Sequence, residues 1–230
     1  MVTSATEWRL SVGGRETTAL FEPASGRASA VTFVCAHGAG GHMADGGMRR
    51  LAELYRARGL NVVRFNFFYR ESRSSRPDPM PLLENCTAAV VAKVREEIQP
   101  DLLLLGGRSM GGRAASMLAA RDFPCDGLIL LAYPLHPAGR PEQMRDAHLA
   151  DIRVPVLCVN GTRDSLCRRD LMEAVVGRLP RGWTMRWLEG ADHSFHVLKS
   201  SGRTDSQVLA EIGDASEQWL AALGTTGRVA

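Results

Sequence analysis

The sequence predicts an α/β architecture: a mostly parallel, twisted sheet of about seven to eight strands with helices on both faces and at most a minimal lid. Two observations carry this expectation. Short apolar runs alternate with longer amphipathic stretches along the 230-residue chain. Runs such as Val31 to Ala36 are apolar throughout, as a strand buried on both faces must be, rather than alternating like a strand with one wet face.

Taken in order, Trp8 to Val12 and Thr17 to Phe21 bracket Gly13-Gly14 and read as an opening hairpin. Val31 to Ala36 ends at His37-Gly38-Ala39-Gly40-Gly41. A helix should run from about Met48 to Arg58, with Leu51, Leu54 and Tyr55 on one face and Gly59 as its stop. Leu60 to Phe68 reads as a strand, and Tyr69 to Pro81 as a polar, proline-containing loop. A helix from about Leu83 to Ile98 then breaks at Pro100-Asp101 before the strand Leu102 to Leu105. Next come a helix from Met110 to about Arg121 and strands at Gly127 to Ala132 and Val154 to Val159. A helix near Arg169 to Leu179, a strand at Thr184 to Leu188 and a helix near Ser206 to Leu223 complete the series. No repeat, low-complexity tract or linker interrupts it. Pro134 to Asp151 is the one candidate insertion and it is short, so residues 1–230 are expected to form a single domain.

Bulk composition narrows the function classes. With 28 basic and 25 acidic residues the net charge is only +3, so neither nucleic acid nor an anionic membrane is called for as a partner. The five cysteines are odd in number, widely spaced and without a Cys-x-x-Cys pair, which argues against both a disulfide framework and a zinc site. Met1 to Glu7 lacks a basic segment followed by an apolar one, and no apolar run approaches the ~20 residues that span a bilayer. A cytoplasmic location is expected. The oligomeric state is left open.

Chemistry concentrates at Gly107-Arg108-Ser109-Met110-Gly111, between an apolar strand and a helix. Gly-x-Ser-x-Gly in that setting puts the serine on a strained strand-to-helix turn, where the helix start turns N–H groups and positive dipole toward the reacting centre. A serine hydroxyl needs a base, and the base needs an orienting acid, following in the chain order serine, acid, histidine. Asp164, in Asn160-Gly161-Thr162-Arg163-Asp164, lies just past a strand end on the same rim. His193, in Gly190-Ala191-Asp192-His193-Ser194-Phe195, follows the next strand and is favoured over His196 as general base. Asp192 is the rival acid, but as the immediate neighbour of His193 it suits shaping the loop. The amide of Met110 and one from Ala39 or Gly40 are the expected oxyanion donors. His37 is expected to pin that loop.

Three further residues are candidate substrate contacts: Arg113, Tyr69 and His136. Arg113, four residues after Ser109, would favour an anionic substrate or else pair with a carboxylate or brace a loop, and bracing is the preferred expectation. His136, His148 and Asp146 lack the fixed spacing of a metal site, so no metal is expected.

His37-Gly38-Ala39-Gly40, Arg64-Phe65-Asn66-Phe67, Gly107 to Arg113, Tyr133-Pro134-Leu135-His136-Pro137, Gly161-Thr162-Arg163-Asp164 and Ala191-Asp192-His193-Ser194-Phe195 occur in one order across nearly the whole chain. In these segments the chain resembles an α/β-hydrolase of the dienelactone-hydrolase-like branch. It is most similar to a group related to a subunit of the non-specific-lethal chromatin complex. The resemblance implies a Ser109, Asp164 and His193 triad and no cofactor. Dienelactone hydrolases proper use a cysteine nucleophile, so their substrate is not implied. The expected function is hydrolysis of a small ester or thioester through an acyl-enzyme. The alternative is a non-catalytic interaction module that keeps the hydrolase frame.

Overall fold

The protein is described by a computed structural model covering residues 4–26 and 29–226; Met1-Val2-Thr3 of the N-terminal segment read above lie outside these. β1 (Thr6–Val12) and β2 (Arg15–Glu22) form an antiparallel hairpin that turns at Gly13-Gly14. β2 pairs antiparallel with β4 (Asn61–Phe65). From there every pairing is parallel, through β3 (Val31–Ala36), β5 (Leu102–Arg108), β6 (Gly127–Leu131), β7 (Val156–Gly161) and β8 (Trp183–Leu188). The sheet order is β1-β2-β4-β3-β5-β6-β7-β8.

Helices cover both faces. α1 (Gly46–Ala57) and α6 (Asp205–Thr226) close one side through Met48, Leu51, Tyr55, Val208, Ile212 and Trp219. α3 (Met80–Glu97), α4 (Met110–Ala119) and α5 (Arg169–Val176) close the other, with Leu83, Val90, Ala115 and Met172 among their buried residues. The central strands feed both layers by their period of two. Phe33 and Leu104 pack on the α1 and α6 side, whereas Val34, Leu103 and Leu105 pack on the other. That is why these strands read as apolar throughout. Each such side chain contributes about 1.5–3 kcal/mol by leaving water.

Two boundaries differ from expectation. The strand expected to reach Phe68 stops at Phe65, and Phe68–Glu71 forms a short helix, α2, inside what reads as loop. Polar anchors explain the turn: the Tyr69 amide donates to Asp78 (3.0 Å), and Glu71 accepts from the Thr18 amide (3.0 Å). β5 runs three residues beyond the expected Leu105 and delivers its last residue, Arg108, directly to the elbow. Pro134 to Asp151 has no regular element except a 3₁₀ turn at Leu149–Asp151. Among the described residues no helix is long and apolar enough to cross a membrane. The carboxyl ends of β3, β5, β7 and β8 share one edge of the sheet, where loops of an open α/β sheet gather a site.

Candidate active site

Ser109 has two backbone duties. Its N–H extends the sheet by donating to Leu131 O (2.8 Å), and its carbonyl accepts from Arg113 N–H (3.0 Å) to start α4. Meeting both within one residue forces φ 52° and ψ −115°, a conformation an L side chain rarely adopts. The flanking glycines are steric requirements. A Cβ on Gly107 would lie 2.1 Å from Ala36 O, and one on Gly111 2.5 Å from the same oxygen. The elbow therefore rests directly on the end of β3.

Around Ser109 the three expected side chains meet. The Ser109 hydroxyl is 2.9 Å from His193 Nε2. His193 Nδ1 lies 2.8 and 3.0 Å from the two carboxylate oxygens of Asp164. With Asp164 ionised, Nδ1 carries the proton and Nε2 is left to accept from serine. The Asp164 side chain is completely buried and accepts two further bonds, from Leu166 N–H (2.8 Å) and Asn160 Nδ2 (3.2 Å). His196 is not part of this arrangement; its ring faces Asp205 at 2.9 Å. Asp192 accepts from the amides of Ser194 (2.7 Å) and His196 (3.0 Å), so it folds the loop that carries His193.

Several residues that hold this geometry are given no such role by the sequence pattern. Asn160, at the end of β7, accepts from Tyr133 N–H (3.1 Å) and donates to Tyr133 O (3.0 Å) as well as to Asp164. It ties the strand ends of β6 and β7 to the acid. Gly161 allows the next close approach, since a Cβ there would be 2.1 Å from Ala191 O. Arg163 N–H donates to that carbonyl (2.9 Å), bringing the Asp164 and His193 loops together. Arg108 donates to His193 O (3.2 Å) and Ser194 Oγ (3.2 Å). The one clue was a polar residue breaking an apolar run.

The loop after β3 is fixed from both ends. His37 is buried, donates from Nδ1 to Gly38 O (2.8 Å) and accepts Phe67 N–H at Nε2 (3.3 Å). Burial pushes its pKa down to about 4, so the ring is neutral and pins the loop as expected. Buried Arg64 binds Glu22 (2.7 Å) and Met43 O, and Asn66 accepts Met43 N–H (3.0 Å). Among the described residues neither Ala39 nor Gly40 gives its amide to a backbone carbonyl. The Met110 amide opens α4 and has no carbonyl one turn earlier to bond. The Tyr69 hydroxyl is buried and faces the Gly40 amide without completing a well-formed hydrogen bond; burial raises its pKa.

Two candidate contacts change character. His136 is buried with both ring nitrogens occupied, Nδ1 by Pro137 O (2.9 Å) and Nε2 by Arg168 N–H (3.1 Å). It has no polar atom left for a substrate and instead joins two loops. The side chain of Arg113, expected to brace a loop, makes no hydrogen bond or ion pair with any described residue, and its Nε is buried without an acceptor. Nearby His148 bonds Ser116 Oγ (2.8 Å), and its pKa falls to about 4 through burial and then the charge of Arg113.

Comparison with known proteins bears on the fold and the family. The sequence profile of the alpha/beta hydrolase domain matches residues 29–221. An alpha-beta serine hydrolase homologue from Coxiella burnetii superposes with a TM-score of 0.76 at 23% identity, over 93% of this chain and 98% of that one. A serine hydrolase without a lid from Xanthomonas campestris gives 0.76 at 22% identity, over 95% and 96%. Dienelactone hydrolase from Anabaena variabilis gives 0.70 at 19% identity, over 95% and 98%. The structural likeness speaks to the fold, and the profile, spanning most of the sequence, to descent: this chain belongs to the alpha/beta hydrolase domain family.

Proposed function

We propose that the protein is a serine hydrolase acting on a small ester or thioester, with Ser109 as nucleophile, His193 as general base and Asp164 as the residue that orients and stabilises the imidazole. The observation that carries this reading is the unbroken relay from Ser109 Oγ through His193 to buried Asp164, with both links at 2.8–2.9 Å. As Ser109 Oγ bonds to the acyl carbon, its proton passes to His193 Nε2. The oxyanion that forms is met by the Met110 amide and by Ala39 or Gly40. Collapse breaks the bond to the leaving oxygen or sulfur, which takes the proton from Nε2. Water then repeats the sequence and frees the acid and Ser109.

Without a substantial lid the site is open, which suits a small acyl substrate. Tyr69 and Arg113 border it as substrate contacts, and neither metal nor cofactor enters the chemistry. We treat residues 1–230 as one domain and place it in the cytoplasm, a compartment compatible with five unpaired cysteines. Within the family, we propose, on the segments quoted above, a relation to the group that includes the non-specific-lethal complex subunit. A fluorophosphonate probe should label the protein and fail to label Ser109→Ala. Labelling that persists in Ser109→Ala would remove Ser109 as nucleophile; an unlabelled native protein would favour an interaction module.

A further inference from the structure

Beside the loop that carries His193 is a cleft of about 430 Å³, set between that loop and the starts of α1 and α6. Its charged lining is Arg50, Arg108 and Asp205, with Ser194 and Ser206 supplying hydroxyls. Neither guanidinium forms a close ion pair with a described residue, although Asp205 feels the charge of Arg50 and Arg108 that of Asp192, Asp164 and Asp45. The Arg50 side chain makes no hydrogen bond or ion pair with any described residue, and the Arg108 side chain donates only to His193 O and Ser194 Oγ. Burial lowers the pKa of Arg108 by more than the charges of Asp192, Asp164 and Asp45 raise it, so its lost hydration is only partly replaced.

Asp205 does not fill this gap. Its carboxylate already accepts from the His196 ring (2.9 Å) and Val197 N–H (3.0 Å), and these bonds lower its pKa while raising that of His196. α1 begins at the cleft without a side-chain cap, because the Asp45 carboxylate turns back to accept His42 N–H (2.7 Å). Half-buried Arg108 without a close ion pair is costly, and with exposed Arg50 lining the same cleft it favours an anion there.

The location says which part of a substrate would reach it. Under the proposed mechanism His193 Nε2 protonates the leaving atom, so the group on that atom extends past the 193–195 loop, where Arg108 and Ser194 stand. We propose that this cleft is the leaving-group subsite and takes an oxyanion, carboxylate or phosphate, carried on the alcohol or thiol half of the substrate. The inference rests on the acyl-transfer reading of Ser109 and His193, and its test separates the two.

Four esters are compared: methyl 4-acetoxybenzoate, 4-acetoxybenzoate, 4-acetoxyphenyl phosphate and phenyl hemisuccinate. The first is neutral, the next two carry a carboxylate or a phosphate on the leaving group, and the last carries its charge on the acyl half. The native protein should favour one of the anionic leaving groups over the neutral ester by about tenfold or more in kcat/KM, with the better of the two identifying the oxyanion. That ratio should fall toward one in Arg50→Gln, which alters an exposed side chain without hydrogen bonds, and with rising salt. Equal rates on neutral and anionic leaving groups, or a preference for phenyl hemisuccinate alone, would overturn the subsite. In parallel, 4-hydroxybenzoate and inorganic phosphate are titrated into Ser109→Ala by calorimetry, with and without Arg50→Gln. If no ester is turned over and no fluorophosphonate label forms, the hydrolase reading fails. Titration then decides the cleft alone: binding abolished by Arg50→Gln supports it, and no binding refutes it.

Discussion

The backbone at Ser109 makes a prediction that contacts alone would not. At φ 52°, ψ −115° the residue occupies the mirror image of the extended region, open to glycine and strained for any residue with a Cβ. Such strain costs about 1–3 kcal/mol. Ser109→Gly relieves it but frees the unfolded chain, at about 0.5–1 kcal/mol. Ser109→Ala loses the same hydroxyl and keeps both the Cβ and the strain, so it is the proper reference. The glycine variant should therefore be more stable than the alanine variant by roughly 1 kcal/mol, the difference of those two terms. For a chain of 230 residues that is roughly 2–4 °C in Tm. Urea unfolding and calorimetry on the two variants, both without hydrolase activity, measure it. A glycine variant equal to or less stable than the alanine variant would refute the claim that the elbow stores strain for presenting its hydroxyl.

Other outcomes follow from the surrounding shell. Asn160→Ala strips buried Tyr133 N–H of its acceptor, Tyr133 O of one of its two donors and Asp164 of a donor, so stability should fall by about 2–4 kcal/mol in urea unfolding. Its kcat should drop about tenfold or more while fluorophosphonate labelling slows. His37 titrates near 4 when folded against an ordinary value near 6.5, so the unfolded chain takes up its proton first as pH falls. Its contribution is fully present above pH 6.5 and is lost toward pH 4, on the order of 3 kcal/mol in all. The pH dependence of unfolding should be correspondingly flatter in His37→Gln over that window.

Most of the frame was written in the one-dimensional pattern. Continuous apolar runs identify buried parallel strands because such strands must be apolar on both faces, and β3 falls where the pattern puts it. Ser109, Asp164 and His193 were legible because strand ends in this topology share an edge and the local chain reads strand, short polar turn, helix. Failures came where a polar side chain overrides the local pattern. Phe68 continues an apolar run, yet the chain turns into α2, anchored by Asp78 and Glu71.

What the sequence determined by itself was the layering of strands and helices and the residues whose chemistry the site requires. Only the tertiary structure decided which polar groups find partners, because that depends on contacts between residues far apart in sequence. His136 is used up by the main chain, Asn160 is enlisted to hold Asp164, and the side chains of Arg113, Arg108 and Arg50 are left without a close ion pair. A side chain's charge is local information, whereas its neutralisation is a property of the fold.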